Sequence, residues 1–333
     1  MRNRVLTSIL VSFLAFGVLS PTFANPKGVP NSNASGYWTQ EKRDNAIARE
    51  FQFEPGAKVG KLVPQAKRGG TSGGTTTSSG TSYWPSNQQD QFVANITGKV
   101  FFTMNGSNYV CSGSLINDGK TSIAVVITAG HCVWDNTTST WATNWAFFPN
   151  YDSNNKLRAE ATYAARLYAR TEFTSEKSFS MTAVQYDYAF AVINTTTTKD
   201  FLNPISTLPS RGSFTLSAVA NAFGYPQASP FNGNELVVSK GTLSSDPNSG
   251  GKTWKLASSM TGGASGGPWY SGYSNGDSVG TVGSVNSYKY SNDKNSMYGP
   301  MFSGLTDQLL SDAINNDCLA VNASTNCANN RVP

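Results

Sequence analysis

One serine, Ser265, stands between two pairs of glycines in Thr261-Gly-Gly-Ala-Ser-Gly-Gly-Pro-Trp269, and the whole 333-residue chain contains a single histidine, His131. A serine hydroxyl attacks a carbonyl only when a base takes its proton. Glycines beside it accept dihedrals that a Cβ forbids and let a carbonyl approach backbone N–H groups. If Ser265 is such a nucleophile, its base has to be His131, far upstream in the chain.

The surroundings of His131 fit that role. It ends Ile123-Ala-Val-Val-Ile-Thr-Ala-Gly-His-Cys132, a β-branched run of buried-strand character that turns at Ala129-Gly130. The carboxylate that would orient the imidazole is Asp187, which opens the apolar and aromatic run Tyr186-Asp-Tyr-Ala-Phe-Ala-Val192. Asp152 and Asp200 are the competitors, but both sit in loop-like contexts. The order is therefore histidine, aspartate, serine. Read as Gly263-x-Ser265-x-Gly267, the serine motif also matches the nucleophile elbow of α/β-hydrolases, whose histidine lies downstream. The single upstream histidine excludes that reading.

Four motifs in this order, Cys111-Ser-Gly-Ser-Leu115, Thr128-Ala-Gly-His-Cys132, Asp187-Tyr-Ala189 and Gly262-Gly-Ala-Ser-Gly-Gly-Pro268, resemble the chymotrypsin-like serine endopeptidases. Phe223-Gly-Tyr-Pro226 is similar to the secreted glutamyl-endopeptidase-type (V8-like) branch. The resemblance spans about residues 83–311. It implies a catalytic triad of His131, Asp187 and Ser265, an oxyanion hole built from the N–H groups of Gly263 and Ser265, and protein or peptide substrates. It places Ser259 and Met260 at the primary pocket with Ser284 and Asn286 along one wall, and it makes Ser284 a candidate partner of Asp187. An uncharged or hydrophobic side chain is the expected guest, because the pocket base has no aspartate and the chain has no second histidine. Where vertebrate-type members carry an activating aspartate before the nucleophile, this chain has Ala264, so that activation ion pair is not expected.

The four cysteines allow three pairings. The resemblance favours Cys111–Cys132, which leaves Cys318–Cys327. With no CxxC and one histidine there is no zinc pattern, and no metal or cofactor is expected.

The formal charge of +5 is concentrated early. Residues 1–82 hold ten basic and four acidic residues, so residues 83–333 are nearly neutral, which removes the simplest case for nucleic-acid binding. Residues 1–24 read as a secretory signal, with Arg2 and Arg4 before an apolar run and Thr22-Phe-Ala24 as the cleavage site. No later segment is long and apolar enough for a membrane span. Residues 25–68 read as a propeptide, with a short helix over Tyr37–Phe51 capped by Thr39. Lys67-Arg68 and the Gly/Ser/Thr-rich tract of 69–82 mark a site for processing, so the expected product is a zymogen that becomes a secreted monomer.

The catalytic part reads as an all-β chain of two six-stranded antiparallel β-barrels (about 83–200 and 201–300) with a short C-terminal helix, followed by a tail over 312–333. The helix is expected over Thr306–Ile314 with Leu305, Leu309, Leu310 and Ala313 on one face. Two other functions remain open on sequence: a catalytically silent homologue that binds protein, and an esterase using the same triad.

Overall fold

The computed structural model describes residues 36–65, 80–88, 92–118, 123–152, 161–194, 210–272, 280–315 and 325–329. The segment expected to be a secretory leader, the dipeptide Lys67-Arg68 expected to mark processing, most of the Gly/Ser/Thr tract and Cys318 lie outside them.

In chain order, helix α1 (Gln40–Asn45) is followed by strands β1 (Ile47–Phe53), β2 (Lys61–Gln65) and β3 (Thr81–Tyr83). Helix α2 (Phe92–Ile96) precedes β4 (Thr97–Met104), β5 (Ser107–Ile116), β6 (Ile123–Thr128) and the small pair β7 (Trp134–Asp135) and β8 (Thr140–Trp141). Then come β9 (Thr143–Pro149), β10 (Thr162–Arg170), helix α3 (Thr171–Thr174) and β11 (Ala189–Asn194). The second half holds β12 (Ser210–Arg211), β13 (Val219–Gly224), β14 (Val237–Thr242), β15 (Ser244–Ser245) and β16 (Thr253–Ala257). It continues through β17 (Pro268–Ser271), β18 (Thr281–Val285), β19 (Tyr288–Tyr290) and β20 (Asp293–Pro300) to helix α4 (Gly304–Asn315) and strand β21 (Thr325–Asn329).

Strands β5, β4, β9, β10, β11 and β6 pair in that order, and β6 returns to β5. This closes a six-stranded antiparallel barrel with no free edge, the expected first barrel. Its interior is apolar: Val100, Phe102, Leu115, Val126, Phe147 and Leu167 share the inward face and are all fully buried. Each such side chain contributes about 1.5–3 kcal/mol when withdrawn from water. The second half forms a six-stranded sheet, β12–β18–β17–β13–β14–β3, and the antiparallel run β15–β16–β20–β19. Between them lies a second core around Phe231, Val237, Leu256, Met260 and Trp269.

The segment before the barrels departs most from expectation. Thr39 does cap α1, its side chain accepting from the Lys42 N–H at 3.3 Å, but the helix stops at Asn45. From Ile47 the chain is extended, because one edge of β1 pairs first with β5 of the first barrel and then with β19 of the second half. Such tertiary pairing outweighs the weak helical propensity of so short a stretch. β2 folds back on β1 as an antiparallel partner. Trp38 fixes the segment to the barrel wall: its indole is 5.3 Å from the Phe101 ring and donates to the Asn144 carbonyl at 2.6 Å.

The terminal helix forms with a narrower buried face than the sequence suggests. Thr306, Leu309 and Ala313 are buried, while Leu305 is only half-buried. Among the described residues no helix is long and apolar enough to cross a membrane.

Candidate active site

The two halves bring His131, Asp187 and Ser265 to one cleft. His131 lies on a single helical turn after β6, and the imidazole is fully buried. Asp187, equally buried, grips it twice: Oδ1 accepts from the His131 backbone N–H at 2.7 Å and Oδ2 meets Nδ1 at 2.8 Å. A carboxylate on Nδ1 holds the ring in the tautomer whose Nε2 is an acceptor. That Nε2 has no hydrogen-bond partner among the described residues. Such an orphan is costly in an inert core and useful at a site that handles protons.

Ser287, not Ser284, is the hydroxyl on Asp187, donating to Oδ2 at 2.5 Å. Ser284 instead donates to the Pro300 carbonyl at 2.9 Å and lies away from the pocket. The sequence carried a signal for this, since both serines belong to Ser284-Val-Asn-Ser287. Only the end of β18 at Val285 shows which one turns toward Asp187.

Ser265 sits on a turn that glycine makes possible. Gly263 and Gly266 have φ of +100° and +80°, and a Cβ on Gly266 would come within 2.2 Å of Thr128 Oγ1 and 2.7 Å of the Ala129 nitrogen. The serine turn is thus pressed against the strand end that presents His131. Ser112 clamps it further, its N–H donating to the Ser265 carbonyl at 2.6 Å and its hydroxyl to the Gly263 carbonyl at 2.8 Å. Asn286, expected on the pocket wall, is a buried clamp behind the turn. Its Nδ2 donates to the carbonyls of Phe223 and Ala264 at 2.8 and 2.9 Å. The N–H groups of Gly263 and Ser265 make no hydrogen bond to the described residues, which leaves two donors beside the hydroxyl. The Cys111–Cys132 disulfide ties the histidine turn to β5.

Ser259 and Met260 line a cavity of about 320 Å³ next to this turn, together with Thr261, Lys289 and Pro230. Lys289 escaped the sequence reading. It is buried, and its ammonium donates to the carbonyls of Ser258 at 3.2 Å and Lys294 at 2.9 Å. Burial lowers its pKa to about 8, against the opposing pull of Glu50 and Asp293.

The cleft is filled by β1. The Arg49 carbonyl accepts from Ser265 Oγ at 3.3 Å. The buried Arg49 side chain donates to the His131 carbonyl at 2.9 Å and pairs with Asp135 at 2.9 Å. Burial works against ionising Asp135, yet the Thr138 N–H and the Arg49 charge hold its pKa below the usual carboxylate value. Phe51 covers the imidazole edge-on at 5.4 Å and is backed by Phe179, stacked at 4.1 Å. Glu50 turns into the Ser259–Lys289 cavity, where Gln65 Nε2 donates to it at 2.6 Å. Burial raises Glu50 to a pKa of about 7, with Lys289 pulling the other way. Nothing in the composition of residues 36–65 announces these contacts.

The family model for the lysyl endopeptidase C-terminal domain matches residues 70–204. Among solved structures, the protease Anisep from Arthrobacter nicotinovorans is 36% identical with a TM-score of 0.58, covering 67% of this chain and 96% of its own. A thermostable serine protease, AL20, from an extremophilic microorganism is 33% identical with a TM-score of 0.57, covering 68% and 100%. A Glu endopeptidase shares the fold at 16% identity and a TM-score of 0.52, covering 71% and 97%. No curated protein matches the sequence significantly.

Proposed function

Because the chain belongs to the chymotrypsin-like serine proteases, we propose that it is a secreted endopeptidase working through His131, Asp187 and Ser265, made as a proenzyme whose residues 36–65 close the cleft. The observation that carries this reading is the buried His131 imidazole, held by Asp187 at Nδ1 and bare at Nε2, against the glycine turn that presents Ser265.

The chemistry follows from these positions. Ser265 Oγ bonds to the scissile carbonyl carbon as its proton passes to His131 Nε2. The carbonyl oxygen, now anionic, lies on the N–H groups of Gly263 and Ser265; losing one such donor typically costs about 2.7–4 kcal/mol. The imidazolium gives its proton to the departing amine as the C–N bond breaks, leaving an acyl-enzyme. Water, deprotonated by His131, attacks that ester and returns Ser265 with a carboxylic acid product. Asp187, steadied by Ser287, keeps the imidazole in register throughout.

A cleft whose two rims both pair with an extended strand suits polypeptide better than a small ester. The exported location rests on the Arg2–Ala24 leader and on the disulfide, which persists in oxidising surroundings. Purified secreted protein should digest a denatured substrate, and Ser265→Ala should abolish every cut read by mass spectrometry. Digestion that survives Ser265→Ala would remove the serine from its assigned role.

A further inference from the structure

We infer that residues 36–65 are a self-encoded inhibitor that lies in the cleft backwards, touching the catalytic serine yet resisting cleavage, and that the same segment will bind the processed enzyme as a separate peptide. The inference rests on the endopeptidase reading above for the meaning of the cleft, but its geometry stands on the backbone register.

Direction follows from the site. In a productive complex the acyl half of the substrate, N-terminal to the cut, lies on the side of the Ser259–Lys289 cavity. The departing amine lies on the side of His131, which must protonate it. A substrate therefore runs from the cavity toward the histidine loop. β1 runs the other way. Its first residues pair with β5, Ile47 opposite Tyr109 and Ala48 opposite Val110. Arg49 then reaches the His131 loop, and Glu50, one residue later, enters the cavity. The strand ends beside β19, with Phe51 opposite Tyr288 and Phe53 opposite Tyr290. Both pairings are parallel. A parallel ladder satisfies backbone groups nearly as well as an antiparallel one, so reversal costs little affinity.

The carbonyl next to Ser265 is also wrongly presented. The Arg49 oxygen accepts the Ser265 hydroxyl itself, at 3.3 Å, and accepts nothing from the N–H groups of Gly263 and Ser265. A carbonyl whose oxygen faces the nucleophile cannot receive attack at carbon, and its developing charge would find no donor. The C-terminal side of that peptide bond leads into the cavity, so the amine of Glu50 points away from the side where His131 would protonate it.

Recognition is by named contacts. Arg49 is held by the His131 carbonyl, Asp135 and the Tyr109 ring, Glu50 sits with Lys289, and Trp38 docks on Phe101. Gln227 Nε2 donates to the carbonyls of both Ala46 and Gln65, tying the two ends of the β1–β2 hairpin.

The test uses a synthetic peptide of residues 36–65 with a photo-crosslinking benzoylphenylalanine at position 47 or 53. Added to Ser265→Ala protein that has been cut after Arg68 by an added protease and freed of its own segment, the position-47 probe should label the chain near Tyr109 and the position-53 probe near Tyr290. The opposite labelling overturns the inference, whatever the enzyme's activity. With wild type, the unlabelled peptide should inhibit turnover competitively and remain uncut between residues 49 and 50, and Arg49→Ala in the peptide should weaken it by on the order of 10²-fold. Cleavage at that bond at a substrate-like rate also overturns it. Wild type that digests nothing while crosslinking follows the expected pattern would sink the protease reading and leave this one standing.

Discussion

At the scale of single residues, the proposed function makes Lys289 the group expected to govern substrate choice. Its ammonium spends two N–H donors on carbonyls; among the described residues Glu50, contributed by the blocking segment, is the carboxylate lining its cavity, and Asp293 acts on it from beside. When that segment leaves, a buried cation loses the carboxylate that shares its cavity and keeps only Asp293 beside it, a costly state that an acidic substrate side chain relieves. The active enzyme should therefore cut after Glu or Asp in preference to Gln or Asn by on the order of 10²-fold in kcat/KM. Lys289→Met should bring that ratio near unity while leaving cleavage after neutral residues in place. Cut-site mapping on a peptide library reads both, and a wild-type map without acidic preference would refute the assignment. The expectation of an uncharged guest arose because the sequence offers no histidine at the pocket. Lys289, three residues past Asn286 and buried on β19, had no part in that expectation.

At the scale of elements, Glu50 should give β1 a pH-dependent hold. The Glu50 carboxyl titrates near 4.5 in a free segment and near 7 when docked, because burial disfavours its charged form. Docking then favours the proton: the full benefit is present below about 4.5 and is lost as pH rises through about 7. The charged groups facing this pair are Lys289 and, beside it, Asp293. Calorimetric titration of the 36–65 peptide into Ser265→Ala protein cut after Arg68 and freed of its own segment should show weakening between pH 5 and 7.5, approaching tenfold per unit. Glu50→Gln should flatten that slope, and an unchanged slope would show that another group titrates. Some elements could be read from sequence. The Ile123–Thr128 run, the turns around β4 and β5 and the glycine turn at Ser265 carry their physics locally, in β-branched density and in forbidden dihedrals. β1 does not. Ala-Arg-Glu-Phe suits a helix as well as a strand, and only the paired rims of a cleft made by distant residues decide it. Ser287 likewise becomes distinguishable from Ser284 only once β18 ends.

At the scale of the molecule, the Cys111–Cys132 bridge serves the first half. Its ends are 21 residues apart, so removing it restores about 3 kcal/mol of denatured-chain entropy. Cys111→Ser/Cys132→Ser should lower unfolding free energy by that amount in denaturant titration. Catalysis should fall more than stability predicts, because the histidine turn loses its anchor on β5. A variant as stable and active as wild type would show that Asp187 alone positions the turn.

The hairpin that occupies the cleft ends at Gln65, and the next strand, in the opposite sheet, begins at Thr81. Fifteen residues join them. A tether of that reach keeps its own end at an effective concentration in the millimolar range. While it is intact, closure is independent of how dilute the protein is. Once it is cut, closure becomes an encounter between two molecules, and its occupancy follows their concentration. Where the protein is concentrated the freed segment would return; where it is dilute the segment would be lost. The protein would thus sense volume, falling silent where it is concentrated and working where it has dispersed.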